Sequence, residues 1–362
     1  MASCTEETTT KTLPILPFDL LIEILCRLPV KLLLQLRYLC KSFNSLITDP
    51  KFAEKHLRLS TTHHLIVSTT NNLGQLLLLD FPMPSDFSTS TVTYPDCLKN
   101  GNCPFRVHSC GGILCLTMYN NAPAILWNPS IRTFKILPPL DNKRFSAYSF
   151  GYDHCINNYK IVACSPDIDK TEVSVHTLGT NSWKRIQDFP YSDPFCGFGM
   201  FVSGTINWLT IDDVSYSHVI ISLDLEKESY QKLPLPDLEK DILKTLGVLR
   251  DCLCISANRT FVFDVWIMKE YGNKDSWTNL YRVPHMKGWV LCLYPKALYI
   301  SEDEQLLMGF YDSQGFGSYK LKLVVYDSKN GALEISEIQN ILSHGMQQNP
   351  QVYIESLISP CS

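Results

Sequence analysis

The sequence predicts a small all-α domain at the N-terminus, followed by a large all-β domain that forms a six-bladed β-propeller-like repeat fold. Three observations predict this architecture. Apolar residues recur at helical spacing within residues 16–47, the rest of the chain alternates short apolar runs with polar turns, and these runs end at a regular interval. We expect a disordered tail over residues 1–13, the helical domain over 14–58 and the β-domain over 59–362.

The first predicted helix lies between two prolines. Pro17 suits a first helical turn, because its φ is already helical and its missing N–H would have no partner there. Pro29 ends the helix. The apolar residues between the prolines stand at helical spacing: Leu20, Leu21, Ile24, Leu25 and Leu28.

A second helix is predicted from Val30 to the Asp49-Pro50 pair. One apolar stripe follows its face in alternating steps of four and three residues: Leu32, Leu36, Leu39, Phe43 and Leu46. Three further residues widen the stripe: Leu33, Cys40 and Ile47. These helices are either a docking module that a partner protein completes or a cap that packs on the β-domain. Periodicity alone leaves both interpretations open.

The β-domain contains a repeat. Six apolar, β-rich runs each end on a polar residue: Asp80, Asn128, His176, Asp224, Asp264 and Asp327. The first three intervals are 48 residues each (80 to 128, 128 to 176 and 176 to 224), and the next two are 40 and 63. A short turn and a second strand follow most of these residues, and a further apolar strand precedes the run.

A period of 40–50 residues built from such hairpins is typical of a propeller blade, which needs about four short antiparallel strands. Radial closure also protects the edges of the sheets. Six repeats predict six blades, with the first beginning near residue 60. A two-sheet β-sandwich is the alternative, and the three equal intervals favour the propeller.

Composition indicates an intracellular protein with a full core. The chain has 45% apolar and 19% charged residues, and its formal net charge of −4 gives no general attraction to nucleic acid or to an anionic membrane. The N-terminus has no apolar signal-peptide segment, and no run approaches the roughly 20 apolar residues of a membrane helix. Many of the 14 cysteines lie in apolar runs, so we expect a reducing compartment, the cytoplasm or the nucleus.

The sequence offers no site for a metal, a cofactor or catalysis. Four cysteines lie near His108, and buried thiols are favoured over a zinc site as the interpretation: Cys97, Cys103, Cys110 and Cys115. Nucleophile-elbow, zinc-protease, phosphate-loop and dinucleotide motifs are absent. We therefore expect no catalytic residue and no cofactor.

The N-terminal residues resemble a known family. LPFDLLIEILCRLP at 16–29 and CKSF at 40–43 are similar to the F-box, although Phe43 stands where a Trp is usual. That family binds a Skp-type adaptor, which joins it to cullin and RING subunits in a ubiquitin ligase. The resemblance implies that six residues contribute to the adaptor-facing surface: Leu16, Pro17, Leu20, Ile24, Leu28 and Pro29.

The β-domain also resembles a family, the F-box-associated domain of plant proteins often described as F-box/kelch-repeat. The similar segments include SCGGILCL, LWNPSIRTFKILP, FGYDHCINNYKIVA and YIESLISP. Only Gly111-Gly112 offers the double glycine of a kelch repeat. Together the two resemblances imply the substrate receptor of an SCF-type ubiquitin ligase. The alternatives are a propeller enzyme and a scaffold outside ubiquitination, with an S-locus receptor for ribonucleases as a narrower variant.

The target protein is not identified by the sequence. Propellers bind partners through loops at one face, so the variable connections are the candidates: 83–106, 141–148, 165–172, 188–197, 211–218 and 268–276. Aromatic residues in or beside these connections fit an interface core and fit packing between blades equally well: Tyr148, Tyr191, Phe195, Tyr216 and Tyr271.

Overall fold

Four short helices begin the described part of the chain: α1 (Phe18–Leu25), α2 (Val30–Leu36), α3 (Lys41–Ile47) and α4 (Pro50–Leu59). The computed structural model describes residues 17–70, 76–83, 91–93, 98, 105–118, 123–140, 147–168, 170–191, 199–239, 242–285, 292–315, 318–337, 343–344 and 350–361. In these ranges no helix has both the length and the apolar character needed to span a membrane.

The prediction of one continuous second helix is wrong. The backbone N–H groups of Tyr38 and Leu39 bond three residues back, to Gln35 and Leu36, which tightens and ends α2. Cys40 is then extended, and its sulfur accepts a hydrogen bond from the backbone N–H of Phe43 at 3.5 Å, which begins α3. The predicted stripe is therefore divided between two helices, and Leu39 is exposed between them.

The strands form six sheets, each with four strands joined in order across the sheet. The first sheet holds β1 (His63–Thr70), β2 (Leu76–Pro82), β3 (Thr91–Thr93) and, from the far end of the described chain, β25 (Pro350–Ile354). The second holds β4 (Phe105–Cys110), β5 (Ile113–Met118), β6 (Ile125–Asn128) and β7 (Thr133–Ile136). The third holds β8 (Ala147–Asp153), β9 (Asn158–Pro166), β10 (Thr171–Thr177) and β11 (Lys184–Arg185).

The remaining three sheets follow in chain order. The fourth holds β12 (Met200–Val202), β13 (Thr205–Ile211), β14 (His218–Asp224) and β15 (Ser229–Leu233). The fifth holds β16 (Leu243–Leu249), β17 (Cys252–Asn258), β18 (Val262–Met268) and β19 (Trp277–Pro284). The sixth holds β20 (Cys292–Ile300), β21 (Gln305–Gly315), β22 (Ser318–Asp327) and β23 (Ala332–Glu337), and β24 (Ser343–His344) pairs with β22.

The six sheets are the blades of a closed propeller, as predicted. The innermost strands β25, β4, β8, β12, β16 and β20 contact one another in turn and complete a ring. Closure comes from the first blade, where β25 pairs antiparallel with β1 and places His64 opposite Tyr353. All six polar residues that mark the sequence repeat lie on the third strand of their blade.

The core lies between the blades. Six clusters of buried apolar side chains each join two neighbouring sheets, so every blade covers the next. Between the third and fourth blades, Trp208 and Phe189 meet edge to face with ring centroids 5.5 Å apart. A seventh cluster lies among the helices and includes Leu357, which follows β25.

The propeller has two different faces. Because neighbouring strands are antiparallel, the turns from first to second and from third to fourth strand lie on one face. The helical domain, α1–α4, contacts this face, where the side-chain amide of Asn157 donates to Glu54 on α4 at 3.0 Å. We call it the helix face. The opposite face, here the loop face, carries the connections from second to third strand and from one blade to the next.

Candidate docking surfaces

The helical domain has an inner apolar side that its own chain covers. Leu25, Leu33 and Ile47 are buried there together with Leu357 from the segment after β25. The carbonyl of Leu28 accepts a hydrogen bond from His56 Nε2 at 2.9 Å, which ties the end of the first helix to α4. Glu23 on α1 also forms an ion pair with Lys55 on α4. The four helices are thus fixed to one another and to the C-terminal segment.

The outer side of the same helices is apolar and uncovered. Leu20 and Ile24 stand one helical turn apart on α1 and are 51% and 50% exposed. Phe18, Leu32 and Leu39 are exposed as well. Such large apolar side chains exposed together are typical of a surface that binds another protein. The helical domain therefore caps the propeller with one side and leaves a second apolar side available.

The structure describes five of the six predicted adaptor-facing residues, and these five differ in exposure. Pro17, Leu20, Ile24 and Pro29 are exposed, whereas Leu28 is half-buried beside the inner cluster. Leu16 lies outside the described residues. Phe18 is exposed beside them but was not among the predicted residues. Its position directly after Pro17, on the first helical turn, could have indicated that it belongs to the same surface.

A charged cluster joins the first blade to the helical domain. His64 on β1 contacts Asp80 at 2.9 Å and Glu355 at 3.3 Å, and the Tyr353 hydroxyl donates to Asp80 at 3.1 Å. Burial alone would lower the pKa of His64, but the hydrogen bonds to both carboxylates outweigh it and raise the pKa to about 9. His64 is therefore protonated at neutral pH. We call His64, Asp80, Tyr353 and Glu355 the closure cluster.

Glu355 extends this cluster to the helices. The hydrogen bond from His64 lowers the pKa of Glu355, and the backbone N–H of Val30, at the start of α2, lowers it further. One carboxylate thus lies between the closing strand of the propeller and the helix that follows Pro29. The orientation of the helical domain is coupled to closure of the first blade.

The predicted target-binding connections do not all lie on one face. The connections 165–172 and 211–218 join second to third strands and lie on the loop face, but 268–276 joins β18 to β19 and lies on the helix face. Most of 83–106, 141–148 and 188–197 falls outside the described residues. The prediction that 268–276 shares a face with the other connections is wrong. The order of the strands in the fifth blade places this connection on the helix face.

The loop face exposes apolar side chains on three successive blades. They are Ile168, Val214, Tyr216 and Phe261, of which Tyr216 is 84% and Phe261 78% exposed. Asp212 accepts the backbone N–H groups of Val214 and Ser215 at 3.1 and 2.8 Å and forms an ion pair with Lys232. This turn is fixed by its own hydrogen bonds and holds Val214 and Tyr216 out from the propeller.

The other candidate aromatic residues have structural roles. The Tyr271 hydroxyl joins Thr205, Asn207 and Ser222 of the neighbouring blade at 2.6–2.7 Å. Tyr148 is buried between the second and third blades, and Tyr191 is half-buried. Phe195 lies outside the described residues. Tyr216 is thus the described candidate that fits an interface.

Of the four cysteines predicted near His108, the two that the structure describes, Cys110 and Cys115, are buried thiols. Burial raises the pKa of both Cys110 and Cys115 to about 12, so each is a neutral thiol. Cys97 and Cys103 lie outside the described residues. Over the described ranges, no three His, Cys, Asp or Glu side chains are arranged to hold a metal ion.

Comparison with known families divides the chain at the junction of helices and propeller. Residues 13–55 match the F-box domain family, and residues 59–360 match the F-box associated beta propeller domain family. An F-box/kelch-repeat protein of Arabidopsis thaliana is 29% identical over 370 residues, which cover 95% of this chain and 96% of that protein. The Arabidopsis thaliana F-box protein CPR1 is 28% identical, covering 96% of this chain and 89% of CPR1.

A further Arabidopsis thaliana F-box protein is 30% identical over 328 residues, covering 81% of this chain and 80% of its relative. Among solved structures, a chain from the crystal structure of a nidogen/laminin complex superposes with a TM-score of 0.50 at 11% identity. That match covers 81% of this chain and 98% of the other. At this identity the structural similarity indicates the fold alone.

Proposed function

Because the chain belongs to the family of F-box proteins that carry an F-box associated beta propeller domain, we propose that it is the substrate-receptor subunit of an SCF-type ubiquitin ligase. Its helical domain would bind a Skp-type adaptor, which links it to cullin and RING subunits. Its propeller would hold a target protein. The contribution of such a subunit is positional, because tethering raises the effective concentration of the target near the ubiquitin-carrying enzyme. The chain itself then needs no catalytic residue.

The exposed apolar side of the helical domain carries this proposal. Its inner side is already filled by its own helices and by Leu357, so Leu20, Ile24 and the neighbouring apolar residues have no cover within the described chain. Each such side chain contributes roughly 1.5–3 kcal/mol when a partner buries it fully, before the costs of association. A surface of this composition suits the apolar face of an adaptor.

The loop face is the favoured site for the target. The helical domain occupies the helix face, so the loop face is directed away from the adaptor-binding side of the molecule. Its exposed side chains Ile168, Val214, Tyr216 and Phe261 supply the apolar and aromatic contacts that interface cores contain. Because the turn around Asp212 is fixed, binding there orders little new backbone.

Co-purification with a Skp-type adaptor tests the docking surface. We expect the wild-type chain to form a stoichiometric complex and the Leu20→Asp, Ile24→Asp double variant to lose it, because two charges would be buried against the adaptor. Ile136→Asp is the matched control, since Ile136 is 52% exposed but lies on an outer propeller strand. A folded double variant that still binds the adaptor would refute the proposed surface.

A second readout separates a receptor from a scaffold. Proteins that bind the propeller of a ligase receptor should accumulate when cullin activity or the proteasome is inhibited. For a scaffold, the same proteins would bind and their abundance would stay unchanged.

A further inference from the structure

A cavity of about 560 Å³ lies in the central channel of the propeller. Every innermost strand contributes to its wall: Gln351, His108, Phe150, Met200, Val248 and Lys296 each come from a different blade. Turns of the helix face, at Gly111 and Arg250, line the cavity as well. The volume suits a small organic molecule.

One wall of the cavity carries an ammonium group without a counter-charge. Lys296 lies on β20, and no carboxylate of the described residues is within 4.0 Å of its Nζ. Burial lowers the pKa of Lys296 to about 8, and the nearby Cys254 thiol opposes this only in part. Lys296 is half-buried, whereas Lys160 on β9 is buried and its ammonium contacts Asp153 at 2.8 Å. A carboxylate thus accompanies Lys160, and none of the described residues supplies one to Lys296.

A histidine lies in the lining near Lys296. Burial, with smaller contributions from the charges of Lys296 and Arg106, lowers the pKa of His108 to about 3. His108 is therefore neutral at physiological pH. Carboxylates occur among the turns at the helix-face end of the cavity, at Asp251 and Glu302, where Arg250 also lies.

We propose that the central channel binds a small organic anion, a carboxylate or a phosphate, through Lys296. Partial burial disfavours an ammonium that no negative group accompanies, and an anion in the cavity offsets this cost. The wall also offers a polar donor. Gln351 gives one amide N–H to the Ser109 hydroxyl at 3.3 Å, while that hydroxyl donates to the Val352 carbonyl at 2.7 Å. The amide group of Gln351 has a second N–H, from which an anion in the cavity could accept a hydrogen bond.

Citrate and inorganic phosphate are suitable probes, measured by isothermal titration and by the shift in melting temperature. We expect at least one of them to bind the full chain with a dissociation constant of about 1 mM or tighter. Lys296→Met should weaken that binding about tenfold or more. Lys329→Met, which removes an exposed lysine from a turn of the sixth blade, should leave it unchanged.

Stability without the probe distinguishes a ligand site from a structural lysine. If Lys296 is an anion-binding group, the Lys296→Met variant should melt at the same temperature as the wild type or higher when no anion is bound, because an uncompensated charge has been removed. The wild type should approach or pass the variant once the probe is added. A large loss of stability in Lys296→Met without probe would instead overturn the proposal, as would equal affinity in the two proteins or no binding of either probe.

Discussion

The helical domain and the propeller bury their apolar residues in different ways. The propeller is covered by itself, because six clusters between blades form a complete cycle and β25 closes the ring. The helical domain fills its inner cluster only with help from Leu357, and it leaves Leu20 and Ile24 uncovered on the other side. The propeller thus completes its own core, whereas the helices keep an apolar side that the proposed function assigns to a partner.

Removal of the closing strand β25 should have the largest effect on the stability of the propeller. A chain that stops after Asn349 lacks β25 and leaves both β1 and the inner ring without a partner strand. An open ring exposes sheet edges and the apolar clusters on both sides of the first blade. We expect loss of cooperative unfolding and aggregation, measured by thermal unfolding and light scattering.

A chain that stops after Ile354 is the matched control. It keeps β25 but loses Leu357 and, from the closure cluster, Glu355. The propeller should still unfold cooperatively through the pairing of β25 with β1, while the helical domain becomes more accessible to protease. Equal behaviour of the two truncated chains would show that closure by β25 is dispensable and would remove the basis of the comparison.

The closure cluster should make stability depend on pH. The pKa of His64 rises from about 6.5 in the unfolded chain to about 9 in the folded one, so protonation favours folding. This contribution is complete below about pH 6.5 and is lost as the pH rises through 9, with a magnitude of up to about 3 kcal/mol. Urea unfolding across this window should show the loss in the wild type and no such loss in His64→Gln.

The His64→Gln variant is needed because a second group, Lys296, titrates in part of the same pH range. Lys296 has a lowered pKa of about 8, so its contribution rises with pH and opposes that of His64. The variant retains Lys296, and the difference between the two curves belongs to His64. Identical curves would show that the cluster does not stabilise closure.

The smallest expected loss of stability comes from a substitution in the double glycine Gly111-Gly112, beside which the segment after β25 passes the second blade. Gly112 has φ +76°, and a Cβ there would meet the Ser356 side chain and lie 2.7 Å from the Ile354 carbonyl. Gly112→Ala should lower the free energy of unfolding by about 1–3 kcal/mol through strain and contact together. Gly179→Ala, at φ +88° with open space around it, should show the backbone strain alone. Equal losses would mean that the segment moves aside freely.

Part of the repeat could be predicted because three of the blades have the same local turn after the third strand. Asn128, Asp224 and Asp327 each accept a backbone N–H two residues ahead, at 2.8–2.9 Å, so a polar residue at the end of the third strand is needed by the turn itself. Such local chemistry is visible in the residue pattern. The start of the first helix was predictable as well, since Pro17 directly precedes it. The prediction that Pro29 ends this helix is wrong, because α1 ends at Leu25 in a tightened turn and Pro29 instead precedes α2.

Closure and the division of the helices could not be predicted in this way. The pairing of β25 with β1 joins residues nearly the whole described chain apart, and no periodic pattern encodes such a partner. The end of α2 depends on a tightened last turn and on the extended backbone at Cys40, although the apolar spacing continues without a break. The position of Lys296 in the channel likewise requires the complete ring.

The late position of β25 has a consequence for synthesis. Its partner strand β1 begins at His63, yet the ring cannot close until Ile354 has left the ribosome. At about 5–20 residues per second, the roughly 290 intervening residues take about 15–60 s to translate. During this interval the nascent chain exposes the edge of its first blade and the inner side of its helices, and exposed edges and apolar surface of this kind favour aggregation.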